Sequence, residues 1–393
     1  MGLYFNSGNT SFRNAVNSKI YVDKTRLLEY TNSILDTEQR LVCVSRPRRF
    51  GKTLTADMLT AYYCKGCNSQ SLFADLYISK SEGYLKNLNQ YNVIHVDIND
   101  FLHRIDAETM RKVSPINAIT IMQREILQEI EEQYGCDYQD EVYLPKVLAE
   151  IYDIFGDKFI IIIDEWDAIF REYKDDKEAQ DAYLNLLRGL FKDANSRKFL
   201  KLAYITGILP IKKTDTQSSL NDFDEFTMVS PGTLAGYVGF TEEEVHNLCE
   251  QYHVDFQQMK RWYNGYSFRK VKNIYNPNSV VKAILNEEFD DYWTRTDTYE
   301  SLKKYISANV EGLKDIVVDM LTGGRCKVNT KKFQNDFTSI YGKDEVLTLL
   351  IHLGYLAYDA DKKEVFIPNE EIHSELIRYM KEMQKEDGIT NNP

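Results

Sequence analysis

The sequence is poor in proline, tryptophan and histidine, and it has fewer basic than acidic residues. Its 393 residues include 8 Pro, 3 Trp and 6 His, and 48 Lys and Arg stand against 60 Asp and Glu, a formal net charge of -12. Scarce proline argues against long open linkers. The deficit of basic residues argues against a histone-like coat on DNA, because such binding needs a positive surface. With 43% hydrophobic and 27% charged residues, the composition indicates a globular protein of two or three domains.

Long apolar runs and a secretory signal are also missing. No apolar run approaches the length of a transmembrane helix, and the N-terminus has no basic stretch followed by an apolar one. The six cysteines are scattered, and Cys64 and Cys67 form a lone pair without the further ligands that a zinc site needs. We therefore expect reduced thiols, a cytoplasmic location and no membrane partner.

The first chemical signal is a loop between a predicted strand at residues 41–45 and a predicted helix that follows. The loop ends in Gly-Lys-Thr, and this context is typical of a phosphate-binding P-loop. In such a loop, Lys52 reaches the β- and γ-phosphates and the Thr53 hydroxyl binds Mg²⁺. The predicted nucleotide-binding residues are Arg46, Pro47, Arg48, Arg49, Phe50, Gly51, Lys52, Thr53 and Leu54.

The loop departs from the usual GxxxxGK[ST] pattern, because Arg46 stands where the first glycine is expected. Two interpretations of the three arginines stay open: they complement phosphate charge, or they form an exposed basic patch. A glycine-marked turn before a helix would also explain the pattern without any nucleotide.

A second signal lies further along the chain, where five apolar residues at 159–163 lead into Asp164 and Glu165. An uninterrupted apolar run is typical of a central parallel strand, and carboxylates at its end face the ligand crevice. This is a Walker B pattern. Asp164 together with Thr53 is the predicted Mg²⁺ site, and Glu165 with Lys52 is predicted to be catalytic. The alternative is a core strand that ends in a solvated acidic turn.

Two more predicted strands complete the sheet, at residues 93–97 and 201–205. Thr206 follows the second of them and is a third predicted catalytic residue, because a polar group beside the Walker B strand can sense the γ-phosphate. The alternative role for Thr206 is to cap the turn that follows. Strands and helices alternate, which predicts an α/β fold with a parallel sheet flanked by helices.

Five segments together resemble the AAA-ATPase-like family of bacterial P-loop proteins, whose members often carry a PD-(D/E)XK nuclease-like domain. The resemblance covers about residues 5–285 and rests on residues 21–25, 45–53, 162–165, 261–266 and 274–278. It implies that Arg46 is a family variant of the P-loop. It also implies an ATPase core at 1–238 and a helical lid at 239–285. Asn264 stands where the family usually has Asp.

The lid is expected to begin with a capping box, since Thr241 is followed three residues later by Glu244. Beyond it, residues 286–393 predict helices at 298–308, 312–321, 331–338 and 344–353, a β-hairpin around the turn at 359–363, and a last helix. This is a winged-helix-like domain. The helix at 344–353 is acidic and apolar, so DNA readout is not favoured. We see no nuclease motif and expect no nuclease activity.

These observations predict an AAA-like NTPase that binds ATP and Mg²⁺, hydrolyses ATP and acts as a molecular switch or remodeller. One alternative is a nucleotide-binding interaction module without significant turnover. Another is a DNA-associated accessory factor that uses the winged helix, although the charge does not support DNA as a partner. A homo-oligomer and a protein client both stay open as partners.

Overall fold

The computed structural model describes residues 1–138, 141–211, 220–268, 271–293, 309–333 and 342–390. The chain divides into two compact units. The first combines Met1–Ser45 with Lys52–Glu225, and the second combines Arg46–Gly51 with Phe226–Pro393. The division into three parts at residues 238 and 285 stays a prediction. The P-loop segment before Lys52 thus has most of its neighbours in the later part of the sequence.

A five-stranded sheet forms the centre of the first unit. Its order is β2-β3-β4-β1-β5, and β1 pairs with β4, β4 with β3, and β3 with β2, all in parallel. This confirms the predicted α/β fold. The strands are β1 (Leu41–Ser45), β2 (Asn92–Asp97), β3 (Phe159–Asp164), β4 (Leu200–Gly207) and β5 (Asp224–Phe226).

Eleven α-helices of the described residues belong to the first unit. They are α1 (Thr10–Val16), α2 (Leu27–Ile34), α3 (Lys52–Tyr63), α4 (Gln70–Phe73), α5 (Tyr84–Asn87), α6 (Ile98–Leu102), α7 (Pro115–Tyr134), α8 (Leu144–Phe155), α9 (Ala168–Glu172), α10 (Lys177–Phe191) and α11 (Ser196–Phe199). Helix α7 shows how the local sequence sets the bounds. The Ser114 side chain accepts the Asn117 N–H at its start, Pro115 occupies the first turn, and Gly135 ends it in the left-handed conformation.

The apolar strands explain why the sheet is buried on both faces. Every residue of β3 is buried, and so is every residue of β1. On one face of the sheet, Leu41 and Cys43 of β1 and Phe159, Ile161 and Ile163 of β3 pack with the apolar faces of α7, α8 and α10 in one continuous core. A strand with no polar position in its interior is stable only when both faces are covered, which is what βαβ connections provide.

The second unit contains two small sheets and six α-helices among the described residues. Its elements are β6 (Phe240–Thr241), α12 (Glu242–Tyr252), α13 (Phe256–Tyr263), β7 (Ile274–Tyr275), α14 (Pro277–Asn286), α15 (Leu313–Leu321), β8 (Cys326–Lys327), α16 (Lys343–Leu353), β9 (Ala357–Asp359), β10 (Glu364–Phe366) and α17 (Glu370–Thr390). Strand β6 pairs with β7, and β10 pairs with both β8 and β9, all antiparallel.

Several local predictions for this unit are confirmed. Thr241 and Glu244 form the capping box that starts α12. The hairpin is β9-β10, and α15, α16 and α17 match predicted helices. The predicted helix at 298–308 and most of the one at 331–338 lie outside the described residues.

Helix α16 is the helix that a winged-helix module would use to read DNA, and here it is an interior element. Its residues from Val346 onward, including His352, are all buried. A helix that is covered all round has no face left for a groove of DNA. Burial lowers the pKa of His352 to about 3, with Arg46 as a second cause, so this histidine is neutral in the core.

Two of the segments that carry the family resemblance, residues 261–266 and 274–278, lie in the second unit and make packing and capping contacts there. Tyr263 and Tyr266 are buried, and the Tyr266 hydroxyl donates to the carbonyl oxygen of Gly354 at 2.6 Å. Gly265 has a φ of +125°, and a Cβ there would lie 2.1 Å from the carbonyl oxygen of Pro368. Asn276 caps α14 by accepting two backbone N–H groups.

Among the described helices, none combines the length and apolar character needed to cross a membrane.

The buried sheet gives a direct test of the fold. Ile162 of β3 is 0% exposed, whereas Ile154 of α8 is 65% exposed. We expect Ile162→Ala to lower the free energy of unfolding by about 2–5 kcal/mol, through lost burial and a residual cavity. Ile154→Ala should change it by less than about 0.5 kcal/mol. Urea unfolding of both variants measures this, and equal effects would contradict the assignment of β3 to the core.

Candidate nucleotide-binding site

The site starts from the register of the parallel strands. Asp97 at the end of β2 lies opposite Asp164 at the end of β3, and Thr206 of β4 lies opposite Val44 of β1. All four strands therefore present their carboxyl ends at one edge of the sheet. In open α/β sheets this is the edge where ligands bind.

The turn into helix α3 has the conformation that a phosphate loop needs. Gly51 has a φ of +88°, and a Cβ added there would meet no atom within 4 Å. Space is available, so it is the backbone conformation that favours glycine. Lys52 is the first residue of α3, a helix of 12 residues. Free backbone N–H groups and the helix dipole make such a start favourable for an anion.

The predicted metal and catalytic residues come together at the start of α3. The Thr53 hydroxyl donates to Asp164 Oδ2 at 2.5 Å. Lys52 Nζ lies 3.5 Å from Glu165 Oε1, and the two side chains are 4% and 15% exposed. Two segments more than 100 residues apart in sequence thus form a single polar cluster.

Burial dominates the electrostatics of this cluster. Asp164 is 0% exposed, and burial raises its pKa to about 6, while Lys52 and the Thr53 hydroxyl act in the opposite direction. Burial, followed by the charge of Asp164, raises the pKa of Asp97 to about 7. The same two causes raise the pKa of Asp57, one turn after Thr53, to about 6. Near neutral pH these carboxylates repel one another, which favours a cation among them.

A cavity of about 380 Å³ lies beside the cluster, within the first unit. Thr53, Asp57, Asp97 and Asp164 line it together with residues of the N-terminal segment such as Tyr4. Sequence reasoning missed Asp57 and Asp97. Helical spacing places Asp57 on the Thr53 face of α3, but Asp97 joins the cluster only through the pairing of β2 with β3.

Glu165 is held tightly at the end of β3. Its φ of +50° is in the left-handed region, which costs a residue other than glycine on the order of 1 kcal/mol. Its Oε2 lies 2.5 Å from Arg171 Nη2 in α9, and its backbone N–H donates to Asp164 Oδ1. Sequence reasoning missed Arg171. The available signal was its spacing of four residues from Asp167 in the segment after Walker B.

Thr206 is buried at the end of β4. Its backbone carbonyl accepts the Trp166 N–H at 3.0 Å, but its hydroxyl has no hydrogen-bond partner among the described residues. A buried hydroxyl without a partner is costly, so an additional polar group at this position would be favourable.

The P-loop residues before Lys52 make their side-chain contacts within the second unit. Arg46 is 0% exposed, its Nη1 donates to the Phe226 carbonyl at 2.9 Å, and its guanidinium lies 5.1 Å from the ring centroid of Phe268. For Arg46, the interpretation as an exposed basic patch is therefore wrong. Phe50 is buried against Tyr266, with the ring centroids 5.3 Å apart.

Residues 21–25, which precede the P-loop, take part in a local network of hydrogen bonds in the first unit. Asp23 accepts the N–H groups of Thr25 and Tyr77, and Thr25 accepts that of Ile78. These contacts fix the start of α2.

A comparison with known protein families agrees with this geometry. The family described as Predicted AAA-ATPase matches residues 7–217, more than half of the chain. The chain belongs to this AAA-ATPase-like family. The matched region holds every site residue predicted from the sequence.

Individual relatives of this AAA-ATPase-like chain are distant. It is 22% identical over 261 residues to an uncharacterized protein in the vnfD 5′ region of Azotobacter chroococcum mcd 1. The match covers 65% of the present chain and 47% of that relative, so the chain spans about half the relative's length.

Two solved structures align over most of the chain with low similarity. The Aeropyrum pernix ORC2 protein, in ADPNP and ADP complexes, has a TM-score of 0.37 at 12% identity over 95% of this chain and 98% of its own. The replication initiator DnaA, bound to AMPPCP and single-stranded DNA, has a TM-score of 0.34 at 9% identity over 95% and 91%. Values this low carry no argument about function.

The residues of this family member fit a nucleotide-bound Mg²⁺ better than a metal held by protein alone. Among the described residues, no group of three or more His, Cys, Asp and Glu side chains could hold a metal ion. Mg²⁺ usually takes one or two protein carboxylates and completes its shell with phosphate oxygens and water. The hydroxyl of Thr53 and the carboxylate of Asp164 supply that kind of hard oxygen ligand.

The raised pKa of Asp97 predicts a pH-dependent stability. Its pKa of about 7 in the folded protein lies above the ordinary 3.8, so its contribution to stability is lost as the pH rises through about 7. We expect Asp97→Asn to raise the urea midpoint more at about pH 8 than at about pH 5, because the wild type loses stability as the pH rises from 3.8 to about 7. Asn also keeps the cap on the Asn99 N–H.

The control for this prediction is Asp181→Asn, an exposed carboxylate of α10, which should have no pH-dependent effect. A midpoint for Asp97→Asn that is lower than that of the wild type at about pH 8 would contradict the assignment of a buried, repelled carboxyl.

Proposed function

We propose that the protein binds ATP with Mg²⁺ at the start of α3, hydrolyses the ATP and acts as a molecular switch or remodeller. The observation that carries this proposal is the meeting of two segments. The Thr53 hydroxyl contacts Asp164 Oδ2 at 2.5 Å, and Lys52 Nζ lies 3.5 Å from Glu165 Oε1. A P-loop lysine and hydroxyl beside two carboxylates at the end of a parallel strand is the arrangement used for phosphoryl transfer.

Each group has a defined task in this proposal. The backbone N–H groups of the loop and the start of α3 bind phosphate oxygens. The Lys52 ammonium binds the β- and γ-phosphates. Thr53 and Asp164 would hold Mg²⁺, which when bound offsets phosphate charge. Arg46 serves through its backbone in this proposal, because its guanidinium contacts Phe226 and Phe268.

Glu165 is the proposed acceptor of the proton from the attacking water. Its carboxylate is 15% exposed, which leaves it a route to solvent. Thr206 is the proposed sensor of the γ-phosphate, because its buried hydroxyl could donate to a phosphate oxygen at no cost in existing hydrogen bonds among the described residues. Proton transfer to a positioned base typically contributes about 10²–10⁴-fold to the rate.

We further propose that the second unit contains a helical lid and a winged-helix-like module. The order α15, β8, α16 and the hairpin β9-β10 supports that comparison. The buried state of α16 argues for a packing role rather than DNA readout. We place the protein in the cytoplasm, with ATP as ligand and with a second copy of the chain or a protein client as partner.

Two substitutions test the proposal. Lys52→Ala should abolish ATP binding, because it removes the cation that meets the phosphates. Glu165→Gln should keep ATP binding and lower kcat by about 10²–10⁴-fold, because the amide cannot accept the proton. Calorimetric titration with ATP and a phosphate-release assay in Mg²⁺ measure the two quantities.

Lys198→Ala is the matched control, because Lys198 of α11 is an exposed lysine that pairs with Asp153. It should bind and hydrolyse ATP as the wild type does. If Lys52→Ala and Glu165→Gln behave in the same way as this control, the proposed function is wrong. Wild-type binding without turnover would instead favour the interaction module.

A further inference from the structure

Arg171 is a buried cation to which the proposed reaction has so far given no task. It lies in α9, and its side chain is 7% exposed. Its Nη2 lies 2.5 Å from Glu165 Oε2, and its Nε lies 3.1 Å from Asp167 Oδ2. One guanidinium therefore joins the candidate base to a second carboxylate that solvent does not reach.

Asp167 is itself fixed from the other side. It is 0% exposed, and its Oδ2 accepts the N–H groups of Ile208 at 3.1 Å and Leu209 at 2.8 Å. These two residues directly follow β4, and the Leu209 carbonyl accepts the hydroxyl of Ser45 at 2.8 Å. The position of Arg171 is thus set by the ends of β4 and β1. Arg171 has little freedom to move independently of the sheet.

The two oxygens of Glu165 face different cations. Oε1 lies 3.5 Å from Lys52 Nζ, while Oε2 lies 2.5 Å from Arg171 Nη2. In the proposed function Lys52 serves the phosphates, while Arg171 stays with the Glu165 carboxylate. A base that is oriented by a third group is the general logic of catalytic triads.

We propose that Arg171 is a positioning residue that holds Glu165 Oε2 and leaves Oε1 directed at the attacking water. This inference rests on the proposed function and deepens it. Arg171 keeps the carboxylate in one orientation while Lys52 changes partner. Because Arg171 also contacts Asp167, the orientation of Glu165 depends on Asp167. Asp167 in turn is held by the residues that follow β4, the strand whose end carries Thr206.

A purely structural role for Arg171 is the competing explanation. Removing this buried cation takes a counter-charge away from both Glu165 and Asp167, and breaking such a pair is strongly destabilising. A simple loss of activity in Arg171→Met would therefore decide nothing. The test needs variants that keep the local charge balanced and readouts that stability alone does not change.

The experiment uses the full chain with three changes. These are Arg171→Lys, the double variant Arg171→Met with Asp167→Asn, and Asp167→Asn alone. Arg104→Gln is the control, because Arg104 pairs with Glu125 and donates to the Tyr4 hydroxyl, and neither of these residues has a task in the proposed reaction. For each variant we would measure ATP affinity with a non-hydrolysable analogue, kcat, and the urea midpoint without nucleotide.

We expect the double variant to lose about 10²-fold in kcat while ATP affinity changes by less than about threefold. Arg171→Lys should recover part of the lost kcat, because it restores a cation beside Glu165. Asp167→Asn alone should lose less than the double variant, and Arg104→Gln should match the wild type.

A second readout needs no turnover. In the nucleotide-free protein, the shifts of the urea midpoint for Glu165→Gln and for the double variant should not add when they are combined, because the two sites share one ion pair. Additive shifts would overturn the contact itself. A folded double variant with wild-type kcat, or one that loses ATP affinity in proportion to kcat, would overturn the positioning role. If wild-type turnover does not depend on Glu165, the proposed function fails instead.

Discussion

The balance of charge at the end of β3 is the constraint on which the rest of the site depends. Asp164, Glu165 and Asp167 are buried or nearly so within four residues, and Lys52 and Arg171 are the cations beside them. Buried carboxylates are tolerated only when they are paired or hydrogen-bonded. The segment after β3 therefore cannot change conformation unless its cations and N–H donors move with it.

The sheet supplies what this balance requires. Apolar strands bring their carboxyl ends into register, so that Asp97 faces Asp164 and Thr206 lies beside the end of β1. Side-chain contacts then link strand to strand, from the Ser45 hydroxyl to Leu209 and from Leu209 to Asp167. A polar network with most of its members satisfied specifies one arrangement of these ends. The Thr206 hydroxyl, which has no hydrogen-bond partner among the described residues, lies where a polar ligand group would be favourable.

Patterns confined to short segments were readable from the sequence. The strand predicted at residues 41–45 is β1, and the apolar run before Asp164 is β3, because continuous burial leaves an unbroken apolar pattern. Features that depend on tertiary register were not readable. Asp97 acquires its raised pKa from burial and from a neighbour on another strand, and Arg171 becomes important only when α9 turns it back toward Glu165.

The packing of the P-loop has a consequence for the order in which the chain folds during synthesis. Arg46 donates to the carbonyl of Phe226, which lies 180 residues later, and Phe50 packs on Tyr266. Because synthesis runs from the N-terminus, the residues of β1 to β4 have all been synthesised before Phe226 and Tyr266. The segment Arg46–Gly51 is therefore among the last parts of the first half to reach its final packing. A nascent chain that ends before residue 226 carries the signature of a phosphate loop but lacks the groups that shape it.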